Sequence, residues 1–255
     1  MAIQSNSSDI TVTGGGIPLF TGIAAMRVIA INPTLGELSS IGINMKSEPN
    51  YTGISFGEQT KNKICFWLHN DEKNFNTRME ILVEPTHRGL SKTGKTQITN
   101  KYGQVTWAES KDTAPDWFKN EGVRPMYPGE ETLINFLKAW ANIPNDGECS
   151  LETIDNIMKG DVEELKSLCT ELKDNKLRVL LGVKGEKYQQ VYTRCFGRLK
   201  PKRDDIFVRA LNQDYGDFRA EYNEDLQFSA YEPSVVAPTE ESTTAAPETS
   251  DAAWL

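Results

Sequence analysis

The chain is poor in the residues that catalysis and metal binding most often require. Its 255 residues include two histidines, His69 and His87, and four cysteines, Cys65, Cys149, Cys169 and Cys195, with no CxxC spacing among them. A zinc site needs four clustered Cys or His ligands and a disulfide framework needs a dense, regular cysteine pattern, so neither is expected; free thiols in a reducing compartment fit better. Cys65 and His69 share a strand face but lie roughly 13 Å apart along an extended chain, too far for a nucleophile–base pair. No run reaches the roughly 18 apolar residues of a membrane span, and "MAIQSNSSDITVTGGGIP" has neither a basic start nor an apolar core of a signal peptide. The sequence therefore reads as that of a soluble, cytoplasmic protein with no membrane partner, metal or cofactor. The Gly-rich "TGGGIP" and "KTGKTQ" lack the spacing of a phosphate loop or a dinucleotide fingerprint, and "GKT" precedes a strand-like run, not a helix. Pairs such as Glu130-Glu131 and Glu163-Glu164 read as solvated helix faces, so no enzyme activity is expected.

What the chain does have is charge asymmetry. The net charge is −8, yet residues 229–255 hold five acids and no base. The stretch Lys173–Arg203 carries ten Lys/Arg against Asp174 and Glu186, a local +8, and Glu84–Lys111 is a local +3. An acidic molecule with concentrated basic regions points to a polyanionic partner.

Hydrophobic periodicity gives the organisation. Residues 1–20 are polar and Gly-rich and read as a flexible arm. "GIAAMRVIAINPT" reads as a strand stopped at Asn32-Pro33, and "INMKSEPNYTGISFGEQ" as loop. "KNKICFWLHND" and "NTRMEILVEPT" alternate apolar with polar residues around the turn-prone "DEKNF", an antiparallel pair. "SKTGKTQITNKYGQVTWAES" gives two short strands around Lys101-Tyr102-Gly103. In "PGEETLINFLKAWANI", Leu133, Phe136, Leu137 and Trp140 fall on one helical face before Pro144. "SLETIDNIMKGDVEELKSLCTELKDN" reads as one or two helices broken near Gly160. "KLRVLLGVKGEKYQQVYTRCFGRLK" is a hairpin turning at Lys184-Gly185-Glu186, and "DDIFVRALNQDYGDFRAEYN" a further strand or short helix. The expected fold is mainly β (α+β): an OB-like antiparallel barrel or sheet over 21–228 with a helical insert at about 130–172, and a disordered acidic tail over 229–255.

Aromatic and basic residues interleave through the β segments, and period-2 alternation places Tyr192, Arg194 and Phe196 on one face with Val191, Thr193 and Cys195 on the other. A surface for single strands needs that combination, since bases stack on aromatics while Lys and Arg follow the phosphates. The candidate DNA-binding residues are Lys63, Trp67, Arg78, Lys95, Lys101, Trp107, Arg178, Lys184, Lys187, Tyr188, Tyr192, Arg194, Phe196 and Arg198. The competing reading of the aromatics is that they form the core.

A basic β-rich body followed by a Pro/Thr-rich acidic tail that closes on an aromatic, "TEESTTAAPETSDAAWL", resembles the replication single-stranded DNA-binding proteins of bacteria and tailed phages. "LRVLLGVKGEKYQQVYTRCFGRL" followed by "FVRALNQDYGDFRAEYNEDLQF" is similar to such proteins of crAss-like phages. The resemblance implies an OB barrel that protects single-stranded DNA during replication and recombination without sequence preference. It also implies a tail whose tip, here Asp251, Trp254 and Leu255, docks on a polymerase, helicase or primase and competes with DNA for the basic groove. This tip carries only Asp251 near its end, and the helical segment exceeds what a minimal OB fold needs. The alternatives are a virion or assembly protein that uses its aromatic strands as a protein interface, and a nuclease, for which the basic region lacks clustered acids.

Overall fold

The computed structural model describes residues 18–56, 59–86, 90–144, 146–184, 188–198 and 228–231. Among the described residues ten strands and four α-helices follow in the order β1 (Phe20–Ile31), α1 (Leu35–Ser40), β2 (Ile54–Phe56), β3 (Gln59–Asn70), β4 (Phe75–Val83), β5 (Thr96–Thr99), β6 (Val105–Ala108), β7 (Arg124–Pro125), α2 (Glu130–Trp140), α3 (Leu151–Met158), α4 (Val162–Glu171), β8 (Lys176–Lys184), β9 (Tyr188–Arg198) and β10 (Ser229–Ala230). All pairings are antiparallel. The main sheet runs β2-β3-β1-β8-β9, with β4 on the far edge of β3 and β10 on β1; β6-β5-β7 form a small second sheet. The edge strands β4 and β9 approach one another, so the main sheet curls into a half-barrel.

Strand β1 shows how the pattern builds the core. Phe20, Ala24, Met26 and Val28 alternate inward, and an irregularity between Val28 and Ala30 shifts the pairing with β3 by one residue. That bulge returns Ile31 to the core and leaves Ile29 and Ala30 on the outer face, where they pack with Cys65 and Trp67. The strand ends at Asn32, whose positive φ of 42° an asparagine tolerates better than most residues. Directly after it, Thr34 and Glu37 form a reciprocal capping box that starts α1, an element between the expected strand and the expected loop, in a stretch to which periodicity assigns no structure. Residues 54–56, which lie within the expected loop, pair with β3 as β2.

The helices fill the concave side of the half-barrel. Leu133, Phe136 and Trp140 of α2 are buried as the periodicity predicts, with Ile134 and Ala139 beside them. Phe136 sits between Phe66 of β3 and Phe196 of β9, at ring-centroid distances of 4.3 Å and 5.3 Å. Helices α3 and α4 separate at Gly160, with Ser150 and Asp161 as their side-chain caps. Ile154, Ile157, Met158 and Leu165 complete the core.

Helix α2 starts at a point of close approach. Gly129 has a φ of 89°, and a Cβ there would lie 2.2 Å from the Leu82 carbonyl oxygen of β4. Gly129→Ala is therefore expected to destabilise the fold by more than about 1 kcal/mol, measured as a lower urea midpoint at unchanged slope. An unmoved midpoint would show that the backbone yields there without cost.

The sequence places the start of the tail at residue 229, but the chain at 228–231 is part of the sheet. Phe228 packs on Phe20 and Phe75, Ser229 and Ala230 pair with β1, and the Tyr231 N–H donates to the Leu19 carbonyl at 2.8 Å. The segment expected to continue as strand or helix at 204–223, the residues from 232 onward, and most of the N-terminal arm lie outside the described residues.

Candidate nucleic-acid interface

Because β strands alternate, the residues that do not enter the helical core emerge on the outer face of the sheet. In one row across the strands stand Lys176 (β8), Arg27 (β1), His69 (β3) and Asn76 (β4). Asp71, just past β3, ties the row together: it accepts from Lys176 at 2.6 Å and from Arg27 at 3.2 Å, and its Oδ1 lies 3.4 Å from His69 Nε2. Lys176 first, then Arg27, holds the Asp71 carboxyl below its ordinary range. Arg178, two residues on from Lys176, pairs with Ala25 on the same face.

Further along, Trp67 pairs with Arg78 and Cys65 with Glu80, and Lys63 stands two residues beyond Cys65. These side chains and the segment Met45–Tyr51 enclose a cavity of about 310 Å³. Lys63 Nζ reaches Glu80 at 3.2 Å, and Arg78 Nε lies 3.6 Å from the same carboxylate. Tyr51 donates its hydroxyl to the Pro33 carbonyl at 2.8 Å, and Glu48 accepts from the Leu35 N–H at 3.2 Å, which pins the covering segment to the start of α1. Burial, reinforced by Glu80, pushes the Cys65 thiol up to about 12, so it stays protonated and unreactive. This is a charge-compensated polar socket more than an open cationic trough.

Of the candidate DNA-binding residues, Lys63, Trp67 and Arg78 thus come together. Trp67, however, is only 1% exposed, packed with Leu38 of α1 and with Ile43, Met45 and Tyr51, and has no open face for a base. Phe196 is likewise 1% exposed, and Tyr192 is buried. The expectation that these three rings stack on nucleic acid is corrected accordingly: they are packed in the body. The two-face reading of β9 fails for a specific reason. Phe196 pairs with Val179 but Val191 pairs with Leu181, so β9 takes up three extra residues in between, and Val191 and Phe196 both enter the core despite opposite parity.

The remaining candidates are scattered. Lys184 and Tyr188 form an exposed cross-strand pair at the end of the β8–β9 hairpin, Tyr188 being 36% exposed. Beside them Gln189 is buried, its side-chain amide bonded to both the N–H and the carbonyl of Phe20 at 2.8 Å, which fixes the hairpin to the start of β1. Lys95 and Trp107 are exposed on the small sheet, Trp107 by 45%. Lys101 is there too, but it is held between Glu121 at 2.6 Å and Glu148 at 2.9 Å. Those carboxylates raise its pKa above the ordinary lysine value and occupy its charge. Lys187 and the side chains of Arg194 and Arg198 lie outside the described residues, as do Asp251, Trp254 and Leu255.

Arg27 and Lys176 did not enter the sequence-derived set, although the alternation against Met26, Val28, Leu177 and Val179 places both outward. Trp117, 57% exposed, and Lys119, whose Nζ stands 4.0 Å from the Tyr102 ring centroid, lie in irregular chain where no periodicity signals orientation. Among the described residues no group of three or more His, Cys, Asp or Glu is placed to hold a metal, and no helix is long and apolar enough to cross a membrane. Comparisons with protein-family models, with curated proteins and with solved structures return no match.

Proposed function

We propose that this protein binds single-stranded DNA without sequence preference, through the outer face of an OB-like half-barrel, and carries out no chemistry on it. The observation that supports this most is the outer-face charge: the partly exposed Arg27, Lys61, Lys63, Lys176 and Arg178 stand on one side of the sheet against Asp71, Glu80 and Glu84. Backbone tracking by cations is sequence-independent, and the exposed rings of Trp107, Trp117 and Tyr188 supply faces on which bases can stack. In this reading the acidic residues beyond Tyr231 compete with DNA for the cationic face, and Trp254-Leu255 docks on a replication partner.

The test is quenching of tryptophan fluorescence by oligo-dT across a salt titration. Strong quenching at low salt that falls away as salt rises is expected. Arg178→Glu with Lys184→Glu should flatten the log–log salt dependence by about 1.4, two phosphate contacts at about 0.7 each on a single strand. No quenching at low salt would overturn the reading, and an unchanged slope would remove the β8–β9 hairpin from the interface. The rival reading, a protein interface, draws on the same exposed Trp107 and Trp117. It gives no oligo-dT response and a concentration-dependent mass instead.

A further inference from the structure

On the side of the molecule formed by the helices, away from the outer face of the sheet, α2, α3 and α4 enclose a second cavity of about 210 Å³. Its walls are apolar, with Ile134 and Leu137 of α2, Ile154 of α3, Leu168 of α4, and Ile143 and Leu172 from the flanking loops. Two nucleophiles stand in this apolar lining. Lys138 is buried on α2 and donates from Nζ to the Tyr102 carbonyl at 2.6 Å, and its amine also shares a hydrogen bond with the Cys149 thiol. Cys149 is itself fixed, its N–H donating to the Lys101 carbonyl at 2.7 Å, immediately before the Ser150 cap of α3. The acid at the rim, Glu148, is engaged by Lys101 at 2.9 Å.

We propose that this cavity captures small apolar aldehydes, aliphatic or aromatic, as an imine on Lys138. A lysine amine desolvated by apolar walls is the arrangement that makes this side chain a carbonyl nucleophile, because the lone pair is freed when the charged form is disfavoured. Burial is the largest influence on both groups, lowering the Lys138 pKa and raising that of Cys149 against the opposing attraction between the two. The walls would hold the hydrocarbon part of the ligand, as apolar pockets with one or two placed polar groups generally do.

The chemistry balances without an oxidant or reductant. The Nζ lone pair adds to the carbonyl carbon, the C=O π pair moves to oxygen, and a proton passes from nitrogen to that oxygen to give a carbinolamine. As the C=N bond forms, the hydroxyl leaves as water on a proton from the Cys149 thiol. The thiolate then recovers a proton from nitrogen. Amine and aldehyde become imine and water.

The experiment treats the full chain with hexanal and cyanoborohydride, which reduces the imine to a stable secondary amine, and maps the modified lysines by peptide mass spectrometry. Lys138 should carry the label first, ahead of exposed lysines such as Lys159 and Lys184. An excess of 1-hexanol, which fills the cavity but has no carbonyl, should slow labelling of Lys138 and leave Lys159 unaffected. Leu168→Trp should remove the Lys138 label while Lys159 is still modified. Label spread over the exposed lysines with Lys138 unmodified, or Lys138 labelling indifferent to hexanol, would overturn the proposal. Both readings come from the wild-type chain, so neither depends on a variant that must fold.

Discussion

Arg124→Ala is expected to lower the thermal midpoint by about 6–20 °C, following a loss of about 3–5 kcal/mol when one partner of a buried ion pair is removed and a shift of about 2–4 °C per kcal/mol in a domain of this size. Glu130, the first residue of α2, is fully buried. Its carboxylate is held by both terminal nitrogens of Arg124, at 2.7 Å and 3.0 Å, and by the Tyr127 N–H at 2.9 Å. Taking away the guanidinium leaves a carboxylate with one backbone donor and no counter-charge in a site closed to water. Glu130→Gln in the Arg124→Ala background should recover much of the loss, because the amide oxygen can still accept from Tyr127 while the uncompensated charge is gone. Thermal melts followed by circular dichroism measure both. A midpoint unchanged in Arg124→Ala would mean that the Glu130 carboxylate finds solvent or another cation, against its burial.

Phe196→Ala is expected to cost about 3–5 kcal/mol of stability, the range for truncating a fully buried Phe, with no change in affinity for oligo-dT per folded molecule. The ring packs edge-on against Phe136, and Phe136 in turn lies on Phe66, so the truncation opens a void where β9, α2 and β3 meet. Tyr188→Ala provides the contrast. That ring is partly exposed on the hairpin, so its loss should leave the urea midpoint in place and weaken oligo-dT binding by about 1–3 kcal/mol if it stacks on a base. Stability held in Phe196→Ala with affinity lost would reverse the assignment of core and surface on β9.

These contrasts mark how far a sequence reading reaches on this chain. Strands β1, β3, β4, β8 and β9, helix α2 and the break at Gly160 were legible, because each rests on a period of two or of 3.6 over enough residues to be distinctive. The capping box at Thr34 and Glu37 is also a local signal, but it lies among turn residues, between the strand that stops at Asn32-Pro33 and the loop expected from Ile43 onward. The candidate site was legible in kind but not in place. Trp67 and Arg78 have similar prospects as neighbouring basic and aromatic residues; only the covering segment from Met45 to Tyr51 and the α1 contacts close over the tryptophan. The pairing of Lys101 with Glu121 and Glu148 joins residues up to 47 apart in the chain, which no local pattern records.

The sequence by itself determined which of the longer segments are strands and helices, where the charge concentrates, and that catalytic and metal-binding residue types are scarce. Those properties follow from composition and from side-chain periods that repeat within a single element. Tertiary structure alone decided which face is core beyond Val28 of β1 and along β9, because the bulge in β1 and the three extra residues in β9 reverse the alternation part-way along. It likewise decided that Glu130 is sealed in by Arg124, that Lys138 and Cys149 meet beside an apolar cavity, and that Phe228 returns to the sheet. Burial and pairing depend on what other parts of the chain bring against a residue, and that information is shared among distant positions.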